Sequence, residues 1–228
     1  MRGNSRSKGL RGKRVKENYI VLNGNRIELT EEQIAKIKEG FCVPKKTLAE
    51  VAAGDVCKLG HLEFIVLEQT GELTAVLLKD FWKTAKFDND KNSYFHSSIR
   101  KDLNTNFYKE LADVVGEDNI YPHEIDITAD DGRTEYGACR DNIGLMTTAE
   151  YRKYVYLLDN HRPDSWWWLA TPYSTEANGY SYTVRVVDND GSLNINCCRL
   201  DGGVRPFCIL KSNIFVSEYG GFNYEKQN

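Results

Sequence analysis

The stretch SWWWLATPYSTEANGYSYTVRVV, residues 165–187, decides the fold class. Trp166, Trp167 and Trp168 lead through Leu169 and Ala170 into Thr171-Pro172, a β-rich run that ends on proline. Neighbours on a strand point to opposite faces, so the three indoles cannot share one. With Trp166 and Trp168 inward, Trp167 is the odd one out. Further on, Tyr180, Tyr182, Val184 and Val186 alternate with Ser181, Thr183 and Arg185. That period of two predicts a strand with one apolar face and puts Tyr180 and Tyr182 in the core. Asp188-Asn189-Asp190-Gly191 is a turn. Leu193 and Ile195 alternate again with polar neighbours, and Val204–Leu210 reads as a further strand.

Upstream the period changes. Ile99, Leu103, Phe107 and Leu111 recur at spacing four, which predicts one apolar helical face. Thr147 and Glu150 form a capping box ahead of Tyr151, Tyr154, Val155 and Leu158, a second helix. Residues 116–142, rich in Asp, Glu and Gly, read as a long irregular segment. Leu62–Glu68 and Leu73–Lys79 are strands about a turn at 69–72, and residues 86–93 are a polar loop. The expected fold class is α+β: two helices on a compact antiparallel sheet with long loops.

The N-terminal part looks different. Tyr19–Leu22 and Arg26–Leu29 flank Asn23-Gly24-Asn25, a hairpin signal, and Thr30 with Gln33 opens a short helix bearing Ile34 and Ile37 and ending near Gly40. The division is a basic arm (1–16), a hairpin-plus-helix module (17–40), a connector (41–60), the main domain (61–217) and a tail (218–228). Hydrophobic residues make up 41% of the 228, enough for a packed core, and the short apolar runs exclude a membrane-spanning helix. A soluble protein made in the cytoplasm is expected, since no apolar leader follows the basic start. Arg2, Arg6, Lys8, Arg11, Lys13, Arg14 and Lys16 give the arm its charge, on a chain whose net charge is −3. Such an arm suits nucleic acid or an acidic protein surface, or is simply a solvated tail.

The ordered pieces resemble a domain family of uncharacterised function from gut-type bacteria and their phages. Four blocks carry the resemblance: Ile99–Asn104, Leu145–Tyr151, Trp167–Pro172 with Asp190-Gly191, and Gly203-Val204-Arg205-Pro206. They span residues 62–210 and leave 1–60 outside. That family is similar to the C-type-lectin-like fold, shared by phage receptor-binding tips, retroelement-diversified variable proteins and relatives of the formylglycine-generating enzyme. The resemblance implies a non-enzymatic recognition scaffold, phage or prophage encoded and associated with a virion surface. Its partners would be a protein or cell-surface ligand, with other virion proteins reached through the arm and self-association into a homo-oligomer. An intracellular inhibitor of a bacterial defence nuclease is the alternative, and a formylglycine-generating type of enzyme a remote one.

In the diversified relatives the binding face lies between the tryptophan and Gly-Val-Arg-Pro blocks, here residues 171–202. Tyr173, Asn178, Asn194, Asn196 and Arg199 are the expected contact residues, because they sit near turns or among polar neighbours. Arg205 is expected to be a buried arginine tying loop carbonyls together.

No catalytic group, metal or cofactor is expected. The four histidines (His61, His96, His123, His161) show no ligand spacing, and the six cysteines form no C-x-x-C pair. Cys198 and Cys208 lie in the region where formylglycine-generating relatives keep two cysteines, without a residue-by-residue match. The calcium-binding strings of sugar-binding lectins do not occur, and turn chemistry accounts for Asp188-Asn189-Asp190.

Overall fold

In the computed structural model, which describes residues 19–22, 25–33 and 46–216, the chain divides into two units, 1–44 and 45–228. In the first, β1 (Tyr19–Leu22) pairs antiparallel with β2 (Asn25–Glu28), Leu22 opposite Asn25. Residues 31–33 open a helix behind the expected capping box: Thr30 N donates to Gln33 Oε1 at 2.9 Å and Gln33 N to Thr30 Oγ1 at 3.2 Å. The basic arm, Asn23-Gly24, the Ile34–Gly40 part of the helix and the tail lie outside the described residues.

The second unit starts earlier than the expected boundary at 61. Residues 46–60, assigned to the connector, belong to the domain: β3 (Val56–Leu59) pairs antiparallel with β4 (Leu62–Thr70). Thr47 and Glu50 make a further capping box before the buried Leu48, and Thr47 bridges Phe215. The lysines and Gly54 concealed a strand whose alternation is only four residues long.

The expected single sheet is two. One runs β10-β15-β5-β4-β3, with β7 also on β15, using β5 (Leu73–Leu78), β7 (Ile120–Tyr121), β10 (Ile143–Gly144) and β15 (Phe207–Lys211). The other runs β13-β12-β11-β14-β6, built from β6 (Lys83–Lys86), β11 (Trp167–Pro172), β12 (Thr183–Val187), β13 (Leu193–Cys197) and β14 (Asp201–Val204). All these pairings are antiparallel except β11 with β14, which is parallel at Trp167 and Gly203. Residues 116–142 are more regular than expected. They hold β7 and a hairpin of β8 (His123–Asp126) with β9 (Ala138–Asp141), whose alternation is masked because its inward residues include His123 and Asp141.

Helix α1 runs without a break through Ser98–Asp102, a π segment at Leu103–Phe107, and Tyr108–Val115. The π segment explains the spacing of four. Three steps of four residues overshoot an α-helical face by roughly 120°, and a stretch of wider i→i+5 turns absorbs the excess. Ile99, Leu103, Phe107 and Leu111 therefore all reach the core. Helix α2 (Thr148–Leu158) starts where expected, Thr147 Oγ1 accepting from Glu150 N at 3.2 Å while Glu150 Oε2 accepts from Thr147 N at 2.7 Å.

The helices create two cores. Phe64, Val66, Trp168, Val184 and Val186 share one with α1. Ile65, Leu67, Leu77, Trp167, Leu169 and Val187 share the other with Tyr151, Tyr154 and Leu158 of α2. This corrects two expectations. Trp167 is not the outward indole: a second core lies on its side, and it is the half-buried Trp166 that stays nearer solvent. Tyr180 and Tyr182 are not core but 44% and 46% exposed, because β12 begins only at Thr183 and the tyrosines precede it on a loop. No helix among the described residues is long and apolar enough to cross a membrane.

On β8, His123 is buried with neither ring nitrogen hydrogen-bonded, its ring edge-on to Phe207 at 5.3 Å. Burial pushes its imidazole down to about 4 from an ordinary 6.5. The folded protein therefore refuses a proton that the unfolded chain accepts. Stability should be full above pH 6.5, fall by about 3 kcal/mol as pH drops toward 4, and be indifferent to this group below that. Urea unfolding of the parent and of His123→Leu across pH 4–7 checks this, since the variant should lose most of that slope.

Candidate functional site

The segment between β11 and β12, residues 173–182, carries the exposed tyrosines Tyr180 and Tyr182. Its order comes from one buried side chain. Asn92, fully enclosed, places Nδ2 at 2.9 Å from the carbonyl oxygen of Ser174 and 2.8 Å from those of Tyr180 and Thr183. Asn92 Oδ1 accepts from Tyr136 Oη at 2.9 Å, and that hydroxyl in turn accepts from Glu176 N at 3.1 Å. Asn92 N donates to Ser181 O at 2.7 Å, so backbone and side chain together hold both ends of the loop. Asp88 steadies Asn92's own loop, its carboxylate accepting from Asp90 N, Lys91 N and Ser98 N.

On this frame the aromatic rings pair with arginines. Tyr173 and Tyr180 meet edge to face at 5.3 Å, and the Arg185 guanidinium lies 5.3 Å from the Tyr173 ring. Arg185 is also held by Asp130, to which Arg152 of α2 approaches at 3.6 Å. On the far side, Arg199 lies 5.8 Å from the Tyr182 ring while Nε donates to Asn89 O at 3.0 Å. Cation–π contact orients a guanidinium without exhausting its donors, so Arg199, 54% exposed, remains suited to a carboxylate or a carbonyl, whereas Arg185 is already paired with Asp130 and braces the Tyr173 ring.

The five expected contact residues do not form one patch. Pairing of β12 with β13 sets Arg185 opposite Ile195, and Val184 and Val186 opposite Asn196 and Asn194. Asn194 and Asn196 thus share a sheet face with each other, while Tyr173 accompanies Arg185 on the opposite one. Asn178 is on the loop, Nδ2 donating to Ser174 Oγ at 3.2 Å. Asn194 is bound back to its own turn, Nδ2 to Asp188 Oδ2 at 2.9 Å. Tyr180, Tyr182 and Arg185 join the surface instead. The signal for the tyrosines was available: the Ala177-Asn178-Gly179 turn immediately precedes Tyr180, leaving little room for a strand to have begun.

Beside the loop, two adjoining hollows of about 380 and 500 Å³ share Phe95 and His96. One reaches Tyr136 and Glu176, and the other has the Arg100–Asp141 pair in its wall. That pair is bidentate at 2.7 and 2.8 Å, and Arg100 Nη1 donates to Phe95 O at 2.7 Å. Its charges are internally matched, which makes it a support for the hollow.

The groups suited to nucleophilic or metal chemistry lie apart. Cys208 neighbours Cys57 in the interior, and Cys198 neighbours Cys197. Burial pushes the thiols of Cys57 and Cys139 up to about 12 and that of Cys198 to about 11, which keeps them protonated near neutrality. His61 pairs with Glu110, and His161 meets Gly54 O. Asp190 Oδ1 accepts from Ser192 N and Oγ, and Asp131 is held below the usual carboxylate range by the Ser174 hydroxyl. Among the described residues no group of three or more His, Cys, Asp or Glu side chains is arranged to hold a metal ion.

A family model described as "Domain of unknown function (DUF6273)" matches residues 72–212, a span that includes both domain helices, the tyrosine loop and most residues of the two cores, but not β3 and β4. No curated protein and no solved structure matches the chain.

Replacing Asn92 by Ala removes at once the amide shared by the carbonyls of Ser174, Tyr180 and Thr183 and the acceptor of the Tyr136 hydroxyl. The expected cost is about 3 kcal/mol of stability, with faster amide exchange across residues 173–183. Thermal unfolding and exchange mass spectrometry of Asn92→Ala measure both; unaltered exchange would mean that the sheet alone orders the loop.

Proposed function

The chain belongs to the DUF6273 family, and we propose that it is a non-enzymatic recognition protein on a C-type-lectin-like scaffold whose contact surface is the tyrosine loop 173–182 with Arg185 and Arg199. One observation carries the reading: Tyr180 and Tyr182 stand in solvent on a loop held by a buried asparagine. A large ring left half outside the core contributes less to folding than a buried one, and a rigid one loses little entropy on binding. Tyrosine brings apolar area and a hydroxyl together, and the paired arginines add directional charge. The hollow between Phe95 and Glu176 offers an adjoining concavity for a protruding side chain or sugar. Two helices on opposite faces of paired sheets, with long connecting loops, support the lectin-like assignment.

The setting proposed is a virion surface or tail, with a protein or cell-surface ligand as partner and the basic arm as the docking piece. Tagged protein incubated with lysates of infected and uninfected cells should recover capsid or tail proteins, and the recovery should fail once residues 1–16 are removed. Recovery of a host nuclease complex would instead make the protein an inhibitor.

The loop itself is tested with the doubly substituted Tyr180→Ser, Tyr182→Ser protein and with Arg199→Ala. The tyrosine pair should weaken the recovered complex at least tenfold, about 1.4 kcal/mol, with the circular dichroism spectrum unchanged. Affinity equal to the parent's in both variants would falsify the assignment of this surface.

A further inference from the structure

β13 is an outermost strand of its sheet. Its inner side pairs with β12 along all five residues, Leu193 to Cys197, and among the described residues no strand lies on its outer side. Ile195 N–H is turned away from β12, donating to the Oδ1 of its neighbour Asn194 at 2.9 Å. Because ladder groups alternate sides along an antiparallel strand, Leu193, Ile195 and Cys197 direct their backbone groups away from β12, the Cys197 carbonyl also accepting from Leu200 N at 3.0 Å in the turn that follows. Exposed edges are usually blunted by a charged side chain, a proline or a bulge. The segment Leu193-Asn194-Ile195-Asn196-Cys197 has none of the three.

The strand is also complementary to itself. Read from either end it runs apolar, Asn, Ile, Asn, apolar. A two-fold axis through Ile195 sets Ile195 opposite its own copy, Asn194 opposite Asn196, and Leu193 opposite Cys197. Each apolar residue then meets an apolar one on the Arg185 face, and each amide meets an amide on the other. The ends match in charge. Asp188 and Asp190 precede the strand and Arg199 follows it, so the antiparallel arrangement brings the basic end of one copy to the acidic end of the other.

We propose that β13 is the interface of a symmetric homodimer, in which a second copy of this chain adds its own β13 antiparallel and the two sheets become continuous. The Asn194 side chain, which covers Ile195 N–H in the single chain, gives way to a backbone carbonyl of the second copy and turns to Asn196 across the axis. The interface is short and bonded mainly through backbone groups, so association is concentration dependent. It goes beyond the recognition reading and does not rest on it, though a dimer presents two tyrosine loops and gains avidity toward a repetitive target.

Sedimentation of the full chain from roughly 1 µM to 1 mM reads the association directly. The mass should rise from that of one chain, 26.1 kDa, toward twice that value. Ile195→Lys places two ammonium groups opposite each other on the axis and should weaken the dimer at least tenfold. Tyr156→Lys, at an 86% exposed position on α2, should leave it intact. Leu193→Cys supplies a register check: oxidation should join it to Cys197 of the second copy, with the product absent when Cys197→Ser is added. This check holds even if Ile195→Lys fails to fold. A mass of 26.1 kDa throughout the range, or a dimer that persists in folded Ile195→Lys, overturns the proposal.

Discussion

A buried positive charge ties together the two places where the chain crosses between the sheets. Arg205 is buried, and its guanidinium rests on the Trp167 ring at 4.9 Å, with Nε donating to Leu78 O at 3.1 Å and Nη2 to Lys79 O at 2.8 Å. Those carbonyls lie where the chain leaves β5 for β6, and Arg205 lies where it returns from β14 to β15. Both crossings are zipped further, Leu78 N to Pro206 O and Trp82 N to Val204 O, each at 2.9 Å. Burial pushes the guanidinium down to about 10, which leaves it charged at neutral pH. A buried ion survives only where fixed dipoles replace its hydration, so the geometry of both crossings is the condition of its presence. Tyr151 of α2, edge-on to Trp167 at 5.8 Å, ties the helix to the same point.

The tyrosine loop follows the same logic on a smaller scale. Asn92 does for residues 173–183 what Arg205 does for the crossings: one polar side chain satisfies several main-chain oxygens that would otherwise face an apolar interior. Such networks are rigid because removing any member leaves the others unpaired. Surface rings displayed on such a frame are held by it together with their contacts to one another and to Arg199.

Much of this was legible from local pattern. Both domain helices, the Thr147–Glu150 cap, the hairpin of Leu62 with Leu73 and the buried role of Arg205 follow from spacing and residue chemistry. What failed were inferences that needed the third dimension. Trp167 could be assigned outward only while a single core was assumed. Tyr180 and Tyr182 continued the alternation of Val184 and Val186 in sequence, yet the strand had not begun. Asn92 was lost in a polar run because the carbonyls it holds lie more than eighty residues away. The strand at Val56 and the hairpin at His123 were too short, or too polar on their inward face, to register. Of the expected contact residues Asn178, Asn194 and Arg199 are exposed while Tyr173 and Asn196 are half-buried, and the division of Tyr173 from Asn194 and Asn196 depends on strand register.

Gly202 and Gly203 lie so close beneath Trp166 and Phe81 that any side chain there would occupy the same space as the rings. The neighbouring blocks are equally enclosed: every residue from Trp167 to Pro172 is buried, as are Val204, Arg205 and Pro206. A substitution within the tryptophan or Gly-Val-Arg-Pro block therefore acts on the interior, whereas one at Asn178, Tyr180 or Tyr182 changes what the protein shows to solvent and leaves the cores as they are.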